Sequence, residues 1–104
     1  MSQIAEADTL PGPRREDIRL EDVLQALGDP VRLSIVRTLQ STPGDERPCG
    51  TFGLPVAKST ASHHFRVLRD AGVITQRAVG RERLTQLRRD DLDARFPGLL
   101  DSVA

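Results

Sequence analysis

The stretch Lys58 to Ile74, KSTASHHFRVLRDAGVI, constrains the fold more than any other part of the chain. At about 100° of turn per residue, Ala61, Phe65 and Leu68 form one apolar stripe with His64 on its edge. Ser59, Ser62, His63, Arg66 and Arg69 fall on the opposite side, and no acid occurs before Asp70. Gly72 stops the helix, because glycine enters the left-handed conformation without a Cβ clash. A helix with one buried stripe and one face of short polar and guanidinium groups suits insertion into a DNA major groove. Alone, the pattern fits an ordinary amphipathic helix with a solvated face equally well, so the flanks have to decide.

A chain of 104 residues is enough for one domain with one modest core. With no Trp, no Tyr and three Phe, that core must be built from Leu, Val, Ile and Ala. A thin core of this kind gains stability when a second subunit binds the folded state. No apolar run reaches membrane-spanning length, and the start has no basic-then-apolar signal pattern. The single cysteine excludes an internal disulfide. The expectation is a soluble, cytoplasmic protein with no membrane partner.

The formal net charge is zero, which taken by itself argues against nucleic acid as a partner. The distribution argues the other way. Between Lys58 and Arg89 stand eight basic residues (Lys58, Arg66, Arg69, Arg77, Arg81, Arg83, Arg88, Arg89) and two acids, Asp70 and Glu82. Segregated charge makes a local field that the net value hides, and the basic third carries the helix described above.

Residues 1–16, with Pro11, Gly12 and Pro13 and no periodicity, read as a flexible arm preceding a domain over 17–104. Leu20, Val23, Leu24 and Leu27 keep helical spacing, which predicts a first helix ended by Gly28. Asp29 caps the next helix and Pro30 occupies its first turn, where a missing N–H costs nothing. Val31, Leu33, Ile35, Val36 and Leu39 cover more than half of its circumference, so this second helix should be the central one. Ser41 to Pro48 reads as a loop. Cys49 to Gly53 is expected to form a short third helix, which its two glycines weaken. At the start of the Lys58 helix, Ala57 cannot cap and Ser59 can.

After Gly72 the period changes from 3.6 to 2. Val73 to Val79 and Arg83 to Leu87, around Gly80-Arg81-Glu82, read as a hairpin with Arg81 and Arg83 at or near its tip. Asp90 or Asp91 can cap a last helix through Leu92 and Phe96, which Pro97 interrupts and Leu99, Leu100 and Val103 resume. About five helices with a two-stranded β-hairpin make a mainly α (α+β) winged helix-turn-helix.

Two stretches carry a resemblance. AlaLeuGlyAspProValArgLeuSerIleValArgThrLeu, residues 26–39, resembles the second-helix signature of the ArsR-type (ArsR/SmtB) bacterial repressors. SerThrAlaSerHisHisPheArgValLeuArgAspAlaGlyValIle, residues 59–74, resembles their recognition helix and its exit into the wing. The match in order covers roughly residues 17–103. The resemblance implies a homodimer paired through its first and last helices. It also implies a repressor that binds an imperfect palindrome in double-stranded operator DNA until an inducer releases it. Many members sense metals with a Cys-x-Cys pair near the third helix or with Asp/His pairs on the last helix. Here the third-helix region offers only Cys49, and the last helix has Asp90, Asp91, Asp93 and Asp101 but no His. A tight soft-metal site needs three or four thiolate or imidazole ligands, so the expectation is no metal and no cofactor.

The residues assigned to DNA are Lys58, Ser59, Thr60, Ser62, His63, Arg66, Arg81 and Arg83. Arg66 suits a guanine edge or a phosphate, Lys58 a phosphate, and Arg81 and Arg83 the backbone or the adjacent minor groove. His64 reads as a satisfied, partly buried histidine, and Phe65 and Phe96 as core or dimer residues rather than stacking platforms. Asp90, Asp91 and Asp93 read as an acidic first turn favoured by the macrodipole. Cys49 is the one candidate for a redox-responsive repressor, with Arg47 near enough to favour a thiolate but no resolving thiol in the chain. The competing readings are a winged-helix module for protein contacts, which calls for a more neutral face, and an enzyme. Nothing resembles a nucleophile elbow, an oxyanion hole or a phosphate loop, so the chain is read as no enzyme.

Overall fold

The computed structural model describes residues 9–104; the first half of the expected arm, residues 1–8, lies outside them. Helix α1 (Leu20–Leu27) and helix α2 (Pro30–Gln40) come first. A short strand β1 (Glu46–Pro48) and a single 3-10 turn (Cys49–Thr51) lead to helix α3 (Lys58–Ala71). Strands β2 (Ile74–Val79) and β3 (Glu82–Leu87) form the wing, and helices α4 (Arg89–Arg95) and α5 (Leu99–Ser102) close the chain. This is a winged helix-turn-helix.

Asp29 caps α2 as its position suggested: its Oδ2 accepts from the backbone N–H of Val31 at 2.9 Å and of Arg32 at 3.0 Å. Pro30 occupies the first turn. Ile35, Val36 and Leu39 are fully buried, so α2 is the helix around which the core collects. From α1 come Val23, Ala26 and Leu27, from α3 Phe65, Leu68 and Ala71, and from α4 and α5 Leu92 and Leu100. Each large aliphatic side chain withdrawn from water contributes roughly 1.5–3 kcal/mol, which is how a core without Trp or Tyr holds. Phe52 meets Phe65 edge to face with ring centroids 5.3 Å apart.

Gly72 ends α3 in the left-handed conformation, at φ 88°. A Cβ there would stand 2.7 Å from Ile18 Cγ1, so glycine is needed both for the turn and for the close approach of the preceding segment. Pro97 does separate two short helices, α4 and α5.

Five details depart from the sequence reading. The segment expected as a loop through Pro48 contains β1, which pairs antiparallel with β3 and makes a three-stranded sheet in the order β1-β3-β2. Glu46, Arg47 and Pro48 carry no apolar alternation, so the pairing is decided by the partner strand and not by pattern. The expected third helix at 49–53 is only the Cys49–Thr51 turn, because Gly50 and Gly53 give a helix no reason to continue. Leu20 and Leu24 of α1 are 42% and 51% exposed, leaving Val23, Ala26 and Leu27 to face the core. Arg88, not Asp90 or Asp91, stands at the N-cap of α4, and no side chain caps it. Finally, residues 9–16 do not leave the body: Thr9 bridges Arg77, the Leu10 N–H donates to the Gln76 carbonyl at 2.9 Å, and the Pro13 carbonyl accepts from Arg88 Nη1 at 2.6 Å.

Candidate nucleic-acid interface

Helix α3 begins at Lys58 behind Ala57, which offers no capping side chain, so Ser59 lies inside the first turn rather than at the cap. The first backbone N–H groups of the helix therefore have no side-chain partner, a polarity that favours an anion nearby. Ala61, Phe65 and Leu68 face the core, as their spacing required. Lys58, Ser59, Thr60, Ser62, His63 and Arg66 are all exposed.

His64 is 9% exposed, and its Nδ1 lies 3.1 Å from Arg32 Nη1 and 3.8 Å from Asp29 Oδ2. It is a satisfied histidine that locks α3 onto the start of α2. Asp29 has its carboxyl held below the ordinary value, first by the hydrogen bond from the Arg32 backbone and further by the nearby Arg32 charge and the Val31 N–H, which outweigh its partial burial.

The wing turns at Gly80 and Arg81, between the cross-strand partners Val79 and Glu82. Gly80 takes φ 61° at the first position of this two-residue turn, which glycine adopts at no steric cost. Arg81 and Arg83 are exposed there. Arg83 returns along β3 to line an open groove of about 370 Å³ with Ser59, Ser62, His63, Arg66 and Arg69. The fold thus joins five of the eight expected residues in one concave surface between helix and wing. Thr60 and Arg81 stand outside it, on the helix and at the turn. Lys58 lines a neighbouring apolar depression of about 290 Å³ that also contains Cys49 and Phe65.

The partners of the basic residues separate the structural ones from the free ones. Arg77 pairs with Glu46, Arg88 with Asp91 and Arg89 with Asp45. Arg69 donates to Gln76, Arg32 to the Ala26 carbonyl and Arg37 to the Val103 carbonyl. Arg14, Arg15, Arg19, Arg47 and Arg95 are likewise engaged, with Asp17, Asp91, Glu21, Thr51 and the Arg15 carbonyl. Of the fifteen arginines and lysines, four have no hydrogen bond or ion pair among the described residues: Lys58, Arg66, Arg81 and Arg83. These are the four cations of the expected DNA-facing set.

A family model described as a helix-turn-helix domain matches residues 27–77. An HTH-type transcriptional regulator of Bacillus subtilis (strain 168), YceK, is 39% identical over 83 residues, covering 78% of this chain and 82% of that protein. A solved structure described as a possible transcriptional regulator for arsenical resistance superposes with a TM-score of 0.63 at 34% identity, over 78% of this chain and 82% of that one. The chain belongs to the ArsR/SmtB family of winged helix-turn-helix transcription regulators. The HTH-type transcriptional repressor SmtB of Mycobacterium tuberculosis is 33% identical over 87 residues, covering 82% of this chain and 64% of that protein. A crystal structure of another ArsR family regulator, at 22% identity, shares the fold with a TM-score of 0.66 over 80% of this chain and 90% of that one. As in the family, the chain's role is in transcription through DNA and not in catalysis. No helix among the described residues is long and apolar enough to cross a membrane.

No three His, Cys, Asp or Glu side chains converge among the described residues. Cys49 is free and half-buried, and the neighbouring Arg47 is turned to Thr51 and stacked over Phe52. Asp91 of the acidic first turn is spent on Arg15 and Arg88.

Sequence reasoning missed Gln76 and Thr85, which are buried and hydrogen-bonded to each other, and the use of Arg69 to hold them. The signal was present in the alternation: a polar residue at each inward register next to Ile74 and Leu87.

Proposed function

We propose that this ArsR/SmtB family member is a homodimeric repressor that grips a palindromic operator with α3 in the major groove and the wing on the flanking backbone. The observation that carries the reading is that the four cations without a partner among the described residues all lie on α3 or the wing, with Arg66 and Arg83 lining one groove between them. An arginine or lysine that has no acceptor among the described residues, while eleven others do, is available to phosphate or a guanine edge. In this reading Ser62, His63 and Arg66 reach base edges, Ser59 and Thr60 contact the sugar-phosphate backbone beside them, and Lys58, Arg81 and Arg83 hold phosphates. The exposed Leu20 and Leu24, one turn apart on α1, support a second copy as the dimer partner. Similarity to a protein described as the transcriptional repressor SmtB supports repression over activation. The sparse donor set favours release by something other than a metal held at the family's usual ligands.

The test is selection from a random duplex library by the purified protein. The expected result is an enriched sequence with two inverted half-sites about one helical turn apart. Recovery of unrelated sequences would favour a winged helix used for protein contacts, which the charged, unpartnered face makes the weaker reading.

A further inference from the structure

The wing is anchored by rungs of paired residues that face the body. Ile74 and Leu87 form the innermost rung, 1% and 4% exposed. Gln76 and Thr85 form the next, 1% and 0% exposed. The third, Ala78 with Arg83, is already in solvent. The last buried rung before the free tip is therefore polar, where an apolar pair would have packed as well. Its two side chains are joined, Gln76 Nε2 donating to Thr85 Oγ1 at 3.0 Å. Gln76 Oε1 in turn accepts from Arg69 Nη1 at 2.8 Å, and Arg69 belongs to α3, one turn beyond Arg66 on the same face. The Gln76 carbonyl accepts from the Leu10 N–H, and Thr85 stands opposite Arg47 on β1.

We propose that Arg69, Gln76 and Thr85 are positioning residues that fix the wing against the recognition helix, and so select the duplex shapes that both can grip together. An apolar rung tolerates sliding and rotation, since its attraction is non-directional. A buried amide that must satisfy a guanidinium at one end and a hydroxyl at the other has one low-energy arrangement, because each unmade bond is costly there. The network lies at the pivot between the anchored base of the hairpin and its exposed tip. It ties that pivot to the helix that carries Ser62 and Arg66. Wing phosphate contacts and helix base contacts are then held at one separation, and duplexes whose groove width departs from it forgo one set. The inference about wing geometry concerns the free protein; its consequence for sequence choice rests on the operator-binding reading above.

The test uses spin labels at Val79→Cys on the wing and Asp70→Cys on α3, in a Cys49→Ser background, with the distance distribution read by double electron–electron resonance. The wild-type network should give one narrow distribution. Gln76→Leu with Thr85→Val, which keeps the volume and removes the hydrogen bonds, should broaden or shift it at temperatures where circular dichroism shows the chain folded. Gln76→Glu should restore it, because a carboxylate accepts from both Arg69 and the Thr85 hydroxyl. Arg69→Met cuts the link from the half-buried side and serves if the double variant does not fold. On the selected operator, the Leu/Val variant should lose at least about fivefold in affinity while its affinity for random duplex stays unchanged. Loss of stability alone would lower both together. Identical narrow distributions in wild type and in Arg69→Met or the double variant would overturn the proposal. A narrow wild-type distribution in a protein that selects no operator would instead overturn the operator reading and leave the positioning intact.

Discussion

Arg66 on the recognition helix and Arg83 on the wing line one groove, and neither has an acceptor among the described residues. Two elements separated by a turn of chain thus offer their free guanidinium groups to the same ligand. Replacing each separately should give different losses. Arg66→Ala is expected to cost about 1–3 kcal/mol on the operator and to relax sequence preference, as for a bidentate base contact. Arg83→Ala should weaken all sequences alike and lower the salt dependence by about one contact. Fluorescence anisotropy with operator and random duplexes over a salt series separates the two.

Gly72→Ala should destabilise the fold by roughly 2–4 kcal/mol, the sum of left-handed strain and overpacking. The residue has φ 88°, and an added Cβ meets Ile18 at 2.7 Å. Urea unfolding followed by circular dichroism measures it. A destabilisation below that found for an exposed Ala substitution would contradict the packing described at the end of α3.

Asp91 and Asp29 make stability depend on acid. Burial pushes the Asp91 carboxyl up, but hydrogen bonds and charges from Arg15 and Arg88 outweigh it and hold the group below its ordinary value of 3.8. Asp29 is held below the same value by the start of α2. A carboxyl with a depressed folded pKa contributes stability that is complete above its ordinary value and is lost as pH falls through the folded one. Urea midpoints should therefore be level above about pH 5 and fall below about pH 4. Asp91→Asn should lower the neutral-pH midpoint and make the acid fall shallower.

Leu20 and Leu24 leave an apolar strip on α1 that no described residue covers. Leu20→Glu with Leu24→Glu is expected to convert a dimer into a monomer in sedimentation, with helix content unchanged because both positions face solvent in one copy. Operator affinity should fall as the dimer dissociates, since one half-site supplies only half of the contacts. A double variant that sediments as the parent does would place the dimer contact elsewhere.

Much of this architecture is legible in the chain because local chemistry and tertiary need agree. Asp29-Pro30, the Ala61/Phe65/Leu68 stripe, Gly72 and the Gly80-Arg81 turn each do in the structure what their residue types do best alone. The basic third with few acids was legible as well, but charge counting did not show that Arg69, Arg77, Arg88 and Arg89 would be engaged while Lys58, Arg66, Arg81 and Arg83 have no partner among the described residues. What could not be read depends on contacts distant in sequence. Strand β1 exists because β3 is there to pair with it. Leu20 and Leu24 kept helical spacing with Val23 and Leu27, and only the position of α2 and α3 decided which side turned inward. Arg69 shared the reading face with Arg66, and its capture by Gln76 required the wing to fold back beside it.

The most direct test of the central claim is the salt dependence of operator binding for Lys58→Ala, Arg81→Ala and Arg83→Ala combined. Removing a cation that neutralises one phosphate should reduce the slope of log K against log salt by about 0.9 per subunit, so the triple variant should bind with a slope shallower by about 2.7 per subunit. A slope equal to that of the parent protein, with the fold intact, would mean that these three cations do not face the duplex.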